Sequence, residues 1–271
     1  MKIVSLQDIS CYGQCSLTVS LPVLSAYGIE TAILPSGILS THTGGFKNFT
    51  VHDLTDEMPK IINHWIEEGI KFDAIYTGYI GDARQFEMVQ DMKKKLLAEG
   101  GKLIVDPAMA DHGKLYPALS EDIIDGMRTI VREADLILPN ITEASFLLDV
   151  PYKESYTEHE IHDLLIKLSE IGPETTVLTG VSYTADKIGA VAYTKSTAKF
   201  DEYFAEYQPR SYHGTGDIFS SVAIAGYLKG EPLTELLGEA CEFIVNCIKK
   251  TMPDETHGYG VKFEEVLAER K

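Results

Sequence analysis

The chain has 271 residues, of which 44% are apolar and 24% are charged, and its formal net charge at pH 7 is −17. This composition is typical of a folded globular protein and excludes a disordered or fibrous one, while the length suits one large α/β domain or two small ones. The negative charge disfavours nucleic acid and membrane surfaces as partners, although a metal ion and local amides can still neutralise a triphosphate at one site.

The amino-terminal sequence and the cysteines indicate a cytoplasmic protein. Residues 1–6 open directly into an apolar strand pattern, without the long apolar core of a signal peptide. No apolar run is long enough to cross a membrane. Since Cys11, Cys15, Cys241 and Cys247 lack the spacing of a zinc knuckle or a redox motif, we interpret them as reduced thiols.

Short apolar runs, each followed by turn residues, alternate with helical patterns over much of the chain. The helical patterns include residues 53–68 and 83–99. Brief apolar runs of this kind are typical of buried parallel strands whose two faces are covered by helices. The predicted strands are residues 3–6, 31–35, 74–77, 102–105, 136–138 and 176–179.

The pattern changes after residue 187. Residues 188–194 and 199–207 alternate in hydrophobicity and lie close together, which predicts a hairpin at a sheet edge. Two long helical patterns follow, at residues 216–228 and 233–250. The sequence therefore predicts one domain, residues 1–271, with the fold of a doubly wound α/β/α sandwich around a mostly parallel central sheet.

Ligands of such sheets bind beyond the carboxyl ends of the strands. Small and polar residues are concentrated at those positions in this chain, and ordinary turn chemistry explains each of them better than it explains the whole set. The candidate positions are Asp8, Ser10, residues 36–45, Gly78, Tyr79, Asp106, Asn140, Glu143, Thr179, Gly180 and the loop before Gly216.

The segment His213-Gly214-Thr215-Gly216-Asp217 precedes an apolar helical pattern. Glycines bring backbone amides close to a ligand, and the free N–H groups of a helix start carry partial positive charge, so this turn is predicted to bind a phosphoryl group. Asp217 could then accept the proton of an attacking alcohol, and the alternative is that it caps the helix. No Gly-Lys-Ser or Gly-Lys-Thr occurs, which excludes a P-loop enzyme.

Several segments resemble one kinase superfamily in the same order along the chain. Gly214-Thr215-Gly216-Asp217 resembles the anion-hole motif of the ribokinase-like kinases, and Asn140-Ile141-Thr142-Glu143 resembles their Asn-x-x-Glu motif. Asp106-Pro107-Ala108-Met109 is similar to their Asp-Pro-Val-Met stretch. Within that superfamily, residues 3–13, 40–44 and 77–81 are most similar to the pyridoxal kinases, which act on vitamin B6.

The resemblance implies a ribokinase-like fold and an enzyme that transfers a phosphoryl group from ATP to the 5′-hydroxymethyl group of a B6 vitamer. Asp217 would be the catalytic base, and the amides of Gly214, Thr215 and Gly216 would stabilise the group in transit. Tyr79 would face the pyridine ring, and His42 would bond to a ring substituent. The residues implied in substrate binding are Asp8, His42, Thr43, Gly44, Tyr79 and Asp217.

The same resemblance implies a nucleotide site with a metal ion. Mg²⁺ would be held by Asp106 and Glu143, largely through water, and a K⁺ requirement stays open. Relatives are commonly homodimers, which implies the same assembly here. The residues implied in ATP binding are Asp106, Asn140, Glu143, Thr179, Gly180, Gly214, Thr215 and Gly216.

One residue departs from the family pattern, because the relatives usually have Ser where this chain has Asp8. An ionised carboxylate only accepts hydrogen bonds, so we hypothesise that pyridoxamine or an aminopyrimidine is preferred over the aldehyde pyridoxal. The alternative is that Asp8 caps the turn that follows it and never touches the substrate.

Other groups of residues, and other functions, have weaker support in the sequence. His159 and His162 lack the spacing of the zinc-protease motif and are predicted to lie on an exposed helix face. Lys93, Lys94 and Lys95 fit a solvated helix face, and Trp65 fits the core. The functional alternatives are a hydroxymethylpyrimidine, sugar or nucleoside kinase of the same fold, and a nucleotide- or vitamin-binding protein without catalysis.

Overall fold

A nine-stranded sheet forms the centre of the chain, and a computed structural model describes residues 1–117 and 119–270. The strands are β1 (Lys2–Ser10), β2 (Glu30–Leu39), β3 (Val51–Asp53), β4 (Phe72–Thr77), β5 (Leu97–Val105), β6 (Ala110–Asp111), β7 (Lys114–Leu115), β8 (Leu136–Ile137), β9 (Thr175–Val181), β10 (Lys187–Thr194) and β11 (Lys199–Glu206). The order across the sheet is β11-β10-β9-β8-β5-β4-β1-β2-β3, and β6 pairs with β7 in a separate ribbon.

The six strands from β9 to β2 in that order are parallel, whereas β3, β10 and β11 are antiparallel to their neighbours. The predicted hairpin is confirmed as β10 and β11, which form one edge of the sheet. The parallel strands all end on the same side, so the residues that follow them meet at one edge of the central layer.

Helices cover both faces of the sheet. They are α1 (Leu17–Ala26), α2 (Met58–Glu67), α3 (Arg84–Leu96), α4 (Asp122–Val131), α5 (Ile141–Leu148), α6 (Glu158–Ile171), α7 (Thr215–Lys229), α8 (Leu233–Thr251) and α9 (Phe263–Glu269). In β5, Ile104 packs into one core cluster with α1, α7, α8 and α9, while Leu103 and Val105 pack into the other with α2 to α6. This alternation follows from the two-residue period of a strand, and it confirms the predicted three-layer α/β/α sandwich.

Two of the predicted helices have wrong boundaries. The helix predicted at residues 53–68 begins at Met58, because Val51–Asp53 pair with β2 and Asp53 accepts a hydrogen bond of 2.9 Å from the Thr55 amide. The helix predicted at residues 83–99 ends at Leu96, where β5 already begins. The sequence patterns also miss β3, the β6–β7 ribbon, α4, α5 and α9. The single-domain organisation of residues 1–271 stays a prediction.

Strand β1 is longer than its predicted span of residues 3–6, and it contains an irregularity at Asp8. The register passes from Gln7 opposite Pro35 to Ile9 opposite Ile38, so that Asp8 faces two residues of β2. Such bulges redirect a side chain and are frequent beside functional sites. Asp8 therefore lies within strand β1, opposite a bulge in β2, rather than in a turn after the strand.

The weaker constellations have ordinary structural contacts. The His162 ring stacks on Phe200 with centroids 3.9 Å apart, and His159 lies exposed beside Asp163. Trp65 is partly buried and packs edge-on against Phe72. Within residues 1–117 and 119–270, no helix combines the length and the apolar character that crossing a bilayer requires.

Candidate active site

Two cavities open at the carboxyl edge of the sheet and meet at the start of α7. The first, which we call the acidic cavity, measures about 400 Å³ and is lined by the carboxylates of Asp8, Asp106, Asp111, Glu143 and Asp217. The second measures about 370 Å³, and we call it the apolar cavity after its apolar lining residues Ile188, Phe219, Ile244, Val245 and Ile248, although polar residues such as Glu206 and Arg210 also line it. Both cavities are lined by Asp111, Tyr116, Asn140, Thr179, His213, Gly214 and Gly216, so they adjoin each other.

The structure brings all the predicted site residues to these two cavities, while their roles stay predictions. Thr215 and Gly180 line the apolar cavity. The others line the acidic cavity: Asp8, His42, Thr43, Gly44, Tyr79, Asp106, Asn140, Glu143, Thr179, Gly214, Gly216 and Asp217.

The turn before α7 contains two glycines with different surroundings. Gly214 is the N-cap residue, has a φ of 81°, and leaves no room for a side chain because a Cβ would lie 1.9 Å from the Gln14 carbonyl oxygen. At Gly216, a Cβ would meet no atom within 4 Å. The backbone at Gly216 is therefore open to the cavity, and the unpaired amides of the helix start are available to an anion.

Asp217 is the third residue of α7, so it is not the cap of that helix. Its Oδ2 accepts a hydrogen bond of 2.9 Å from the backbone N–H of Ser16. Protein atoms surround the carboxyl group closely, and this burial raises the pKa of Asp217 to about 7. The Ser16 amide opposes that rise, and the charge of Asp8 adds to it. A carboxylate with a pKa near neutrality suits a general base.

Asp106 and Glu143 form a buried acidic pair beside Asp217. Asp106 accepts a hydrogen bond of 2.6 Å from the Ser220 hydroxyl, and Glu143 accepts hydrogen bonds from the amides of Asn140 (2.8 Å) and Met109 (3.2 Å). Burial raises the pKa of both groups, and each rise is increased by a neighbouring carboxylate. A divalent cation would relieve this repulsion.

The donor set fits a metal ion that is bound through water. Among the described residues, no group of three or more His, Cys, Asp or Glu side chains is arranged to hold a metal ion directly. Both oxygens of Glu143 already accept backbone N–H groups, which leaves its remaining lone pairs for water. Mg²⁺ usually keeps several of its water ligands, so Asp106 and Glu143 suit it as acceptors of hydrogen bonds from those waters.

Asn140 fixes the start of α5 and the β6–β7 ribbon. Its Oδ1 accepts a hydrogen bond of 2.9 Å from the Glu143 amide, and the Asn140 amide donates one to the Glu143 carboxylate, which completes a capping box. The Asn140 Nδ2 donates to the Ala110 carbonyl at 2.8 Å. The ribbon is thereby held above the site, where Asp111 and Tyr116 reach both cavities.

The His42 ring is used by the protein itself. Its Nδ1 accepts a hydrogen bond from the Gly44 amide, which leaves Nε2 to donate to the Tyr259 carbonyl, and both distances are 3.2 Å. Burial lowers the pKa of His42, and the neighbouring His213 lowers it further. The predicted hydrogen bond from His42 to a ring substituent would require one of these contacts to break.

Asp8 and Tyr79 both line the acidic cavity. Asp8 accepts a hydrogen bond of 3.1 Å from the Ser10 hydroxyl, and burial raises its pKa. Burial and the charge of Asp8 together raise the pKa of Tyr79 to about 12. Since Asp8 lines the cavity while it bonds to Ser10, its carboxylate is available to a ligand.

Sequence motifs miss several residues of the site. Ser220 lies one helical turn after Asp217 in α7, and this spacing could have revealed it. Ser16 contacts Asp217 through its backbone amide, and such a contact leaves no side-chain signal in the sequence. The apolar cavity is formed by core-like residues of β10, α7 and α8 that are distant in sequence.

Comparison with known proteins gives the family. The model of the phosphomethylpyrimidine kinase family matches residues 22–261. A candidate phosphomethylpyrimidine kinase from Bacteroides thetaiotaomicron, crystallised with pyridoxal, is 37% identical with a TM-score of 0.94, covering 98% of this chain and 94% of that one. The pyridoxal kinase of Lactobacillus plantarum is 30% identical with a TM-score of 0.89, covering 98% and 95%. The pyridoxal kinase of Dictyostelium discoideum is 25% identical over 267 residues, covering 92% and 86%.

These likenesses and the sheet topology define a ribokinase-like kinase, which confirms the predicted fold class. The chain belongs to the pyridoxal/phosphomethylpyrimidine kinase family, as the motifs in its sequence predict.

Proposed function

We propose that this kinase uses ATP to phosphorylate the 5′-hydroxymethyl group of a vitamin B6 vitamer: pyridoxamine, pyridoxal or pyridoxine. The product would be the 5′-phosphate, which serves the salvage of pyridoxal phosphate. The observation that carries the proposal is the place of Asp217 in the acidic cavity, beside the open amides where the apolar cavity begins. Relatives named pyridoxal kinases, and a relative crystallised with pyridoxal, support a pyridine alcohol as the acceptor.

In the proposed reaction, the alcohol lies in the acidic cavity with its oxygen between Asp217 and the γ-phosphorus of ATP. A bond forms between that oxygen and phosphorus, the bond from phosphorus to the bridging oxygen breaks, and ADP leaves. The hydroxyl proton passes to Asp217, whose pKa of about 7 suits it to accept a proton near neutral pH. The amides of Gly214, Thr215 and Gly216 stabilise the charge on the group in transit.

The apolar cavity suits the base of the nucleotide. Ile188, Ile244 and Val245 offer apolar contacts to a flat ring, and Thr179 and Gly180 line the same cavity. Mg²⁺ would bind beside Asp106 and Glu143 through its water ligands and would neutralise charge on the phosphates. The K⁺ requirement, the homodimer and the cytoplasmic location stay predictions, and light scattering of the purified protein tests the dimer.

The acceptor preference follows from Asp8. Asp8 and Asp217 raise the free energy of each other's ionised forms, and none of the described residues lining the acidic cavity is Lys or Arg. An acceptor that carries an amino group would supply the missing positive charge. Pyridoxamine is therefore the proposed preferred vitamer.

Replacement of Asp8 by Ser tests that preference. We expect Asp8→Ser to lower the ratio of kcat/KM for pyridoxamine to kcat/KM for pyridoxal by about tenfold or more, because a hydrogen bond to a charged partner is lost. Asp125→Ser, at an exposed position of α4, is the matched control. An unchanged ratio in Asp8→Ser would show that Asp8 does not select the acceptor.

A coupled ADP-release assay tests the function itself. The acceptors are pyridoxamine, pyridoxal, pyridoxine, hydroxymethylpyrimidine and ribose, each with saturating MgATP. We expect the highest kcat/KM with a B6 vitamer. A clear preference for ribose would overturn the proposal.

The second candidate is a hydroxymethylpyrimidine kinase. It is favoured by the match of residues 22–261 to the phosphomethylpyrimidine kinase family. That acceptor also carries a hydroxymethyl group on an aromatic ring, and its ring-bound amino group, although uncharged, could donate a hydrogen bond to Asp8. The highest kcat/KM with hydroxymethylpyrimidine would select this function. Binding of ATP and vitamers by calorimetry without ADP release would instead indicate a binding protein that does not catalyse transfer.

A further inference from the structure

His213 lies where the acidic and apolar cavities meet, directly before the N-cap Gly214. It lines both cavities, and of the described residues that do so it alone has an imidazole ring. Its ring rests against Gly44, where a Cβ would lie 2.2 Å from the His213 Cε1. Gly44 therefore leaves the space that this ring occupies.

The two histidines of the acidic cavity differ in whether their ring nitrogens already have hydrogen-bond partners. The rings of His42 and His213 lie 5.1 Å apart, but both nitrogens of His42 are engaged with backbone groups. Among the described residues, neither nitrogen of His213 has a hydrogen-bond partner, and the side chain is exposed to the cavities. His213 can therefore offer an N–H group to a ligand without losing a contact.

The charges around His213 are mostly negative. Asp217 lines the acidic cavity and Asp111 lines both, the His42 ring lies tilted beside that of His213, and Arg210 lines the apolar cavity. A triphosphate that enters this region meets carboxylates from several elements. A hydrogen-bond donor at the place where the cavities meet would offset part of the repulsion between the carboxylates and the triphosphate.

We propose that His213 is a further catalytic residue, which donates a hydrogen bond from its imidazole to an oxygen of the phosphoryl group as that group crosses from the apolar to the acidic cavity. This inference rests on the proposed function. His213 keeps its proton throughout, the proton of the alcohol passes to Asp217, and ADP leaves with the electrons of the broken P–O bond. The imidazole N–H acts together with the amides of Gly214 and Gly216. Its hydrogen bond is strongest when negative charge develops on the phosphoryl oxygens.

The test compares His213→Ala and His213→Gln with the wild-type enzyme, with the preferred acceptor and saturating MgATP. We expect kcat to fall about ten- to a hundredfold in His213→Ala, the loss expected for one hydrogen bond to a charged group, with smaller changes in KM. Added imidazole should raise the kcat of His213→Ala several-fold and leave the wild type unchanged. The amide N–H of His213→Gln should retain part of the activity.

His159→Ala on the exposed face of α6 is the matched control, with unchanged kcat and no response to imidazole. A His213→Ala enzyme with wild-type kcat overturns the inference, and so does a loss that imidazole does not restore while the melting temperature is unchanged. If His213→Ala is less stable than the wild type, His213→Gln and the wild type are compared at a temperature where both are folded. Equal kcat values in that comparison contradict the proposed role of His213. Failure of the wild type to phosphorylate any acceptor would instead overturn the proposed function.

Discussion

The acidic and apolar cavities adjoin each other, but they are built from different kinds of residues. The acidic cavity takes single polar residues from the ends of β1, β4 and β5 and from the starts of α5 and α7. The apolar cavity takes side chains from β10, α7 and α8 that are chemically the same as core residues. In the proposed function, the acidic cavity would supply the reacting groups and the apolar cavity would supply a shape for the nucleotide, with the turn at Gly214–Asp217 between them.

The largest expected effect is the loss of the base in the acidic cavity. Asp217→Asn should lower kcat by about a hundred- to ten-thousandfold, because the amide cannot accept the proton of the alcohol. Nucleotide affinity, which the proposed function assigns to the apolar cavity, should change little. Steady-state kinetics and calorimetric titration with ATP measure the two quantities. Full activity in Asp217→Asn would refute its role as base.

The two glycines of the turn should separate catalysis from stability. Gly216→Ala should lower kcat on the order of a hundredfold with an unchanged melting temperature, since its methyl group would enter open cavity space and a displacement of about 1 Å can cost that much. Gly214→Ala should lower the free energy of unfolding by at least about 1 kcal/mol, because it forces a positive φ and a contact with Gln14.

Kinetic assays combined with thermal unfolding of both variants check this contrast. If Gly216→Ala retained wild-type kcat, the space beside its backbone would not be where the phosphoryl group passes.

A smaller effect is expected from pH. Asp217 must be ionised to accept a proton, and burial raises its pKa to about 7. A group of this kind is active above its pKa, so kcat/KM should rise about tenfold per pH unit below about 7 and level off above it. ATP affinity over the same range should follow a different and shallower profile. A kcat/KM that is constant from pH 6 to 8 would contradict the assignment of Asp217 to the base.

The sequence predicted the acidic cavity better than the apolar one for a physical reason. Polar residues such as Asp106, Asn140 and Asp217 directly follow strands or begin helices, so their place in the fold can be read from a local pattern. Residues such as Ile244 and Val245 carry no such signal, because an apolar position in a helix predicts only burial. The hydrogen bonds of His42 also depend on Tyr259, which is distant in sequence, and no spacing rule reveals them.

The same reasoning explains the errors in the fold. The main parallel strands and the hairpin were predictable because their apolar runs are distinct. The helix predicted to begin at residue 53 fails because Asp53 closes a turn with Thr55, and the extension of β1 through Asp8 depends on its pairing with β2. Pairing across strands is a long-range property that a local pattern does not contain.

The stereochemistry of transfer tests the central claim most directly, which is that the phosphoryl group passes in one step from a nucleotide in the apolar cavity to an alcohol in the acidic cavity. The measurement uses ATP with a chiral γ-phosphorothioate group and the preferred acceptor, followed by analysis of the configuration at phosphorus in the product. Direct in-line transfer predicts inversion. Retention would require two displacements through a phosphorylated residue and would contradict the account.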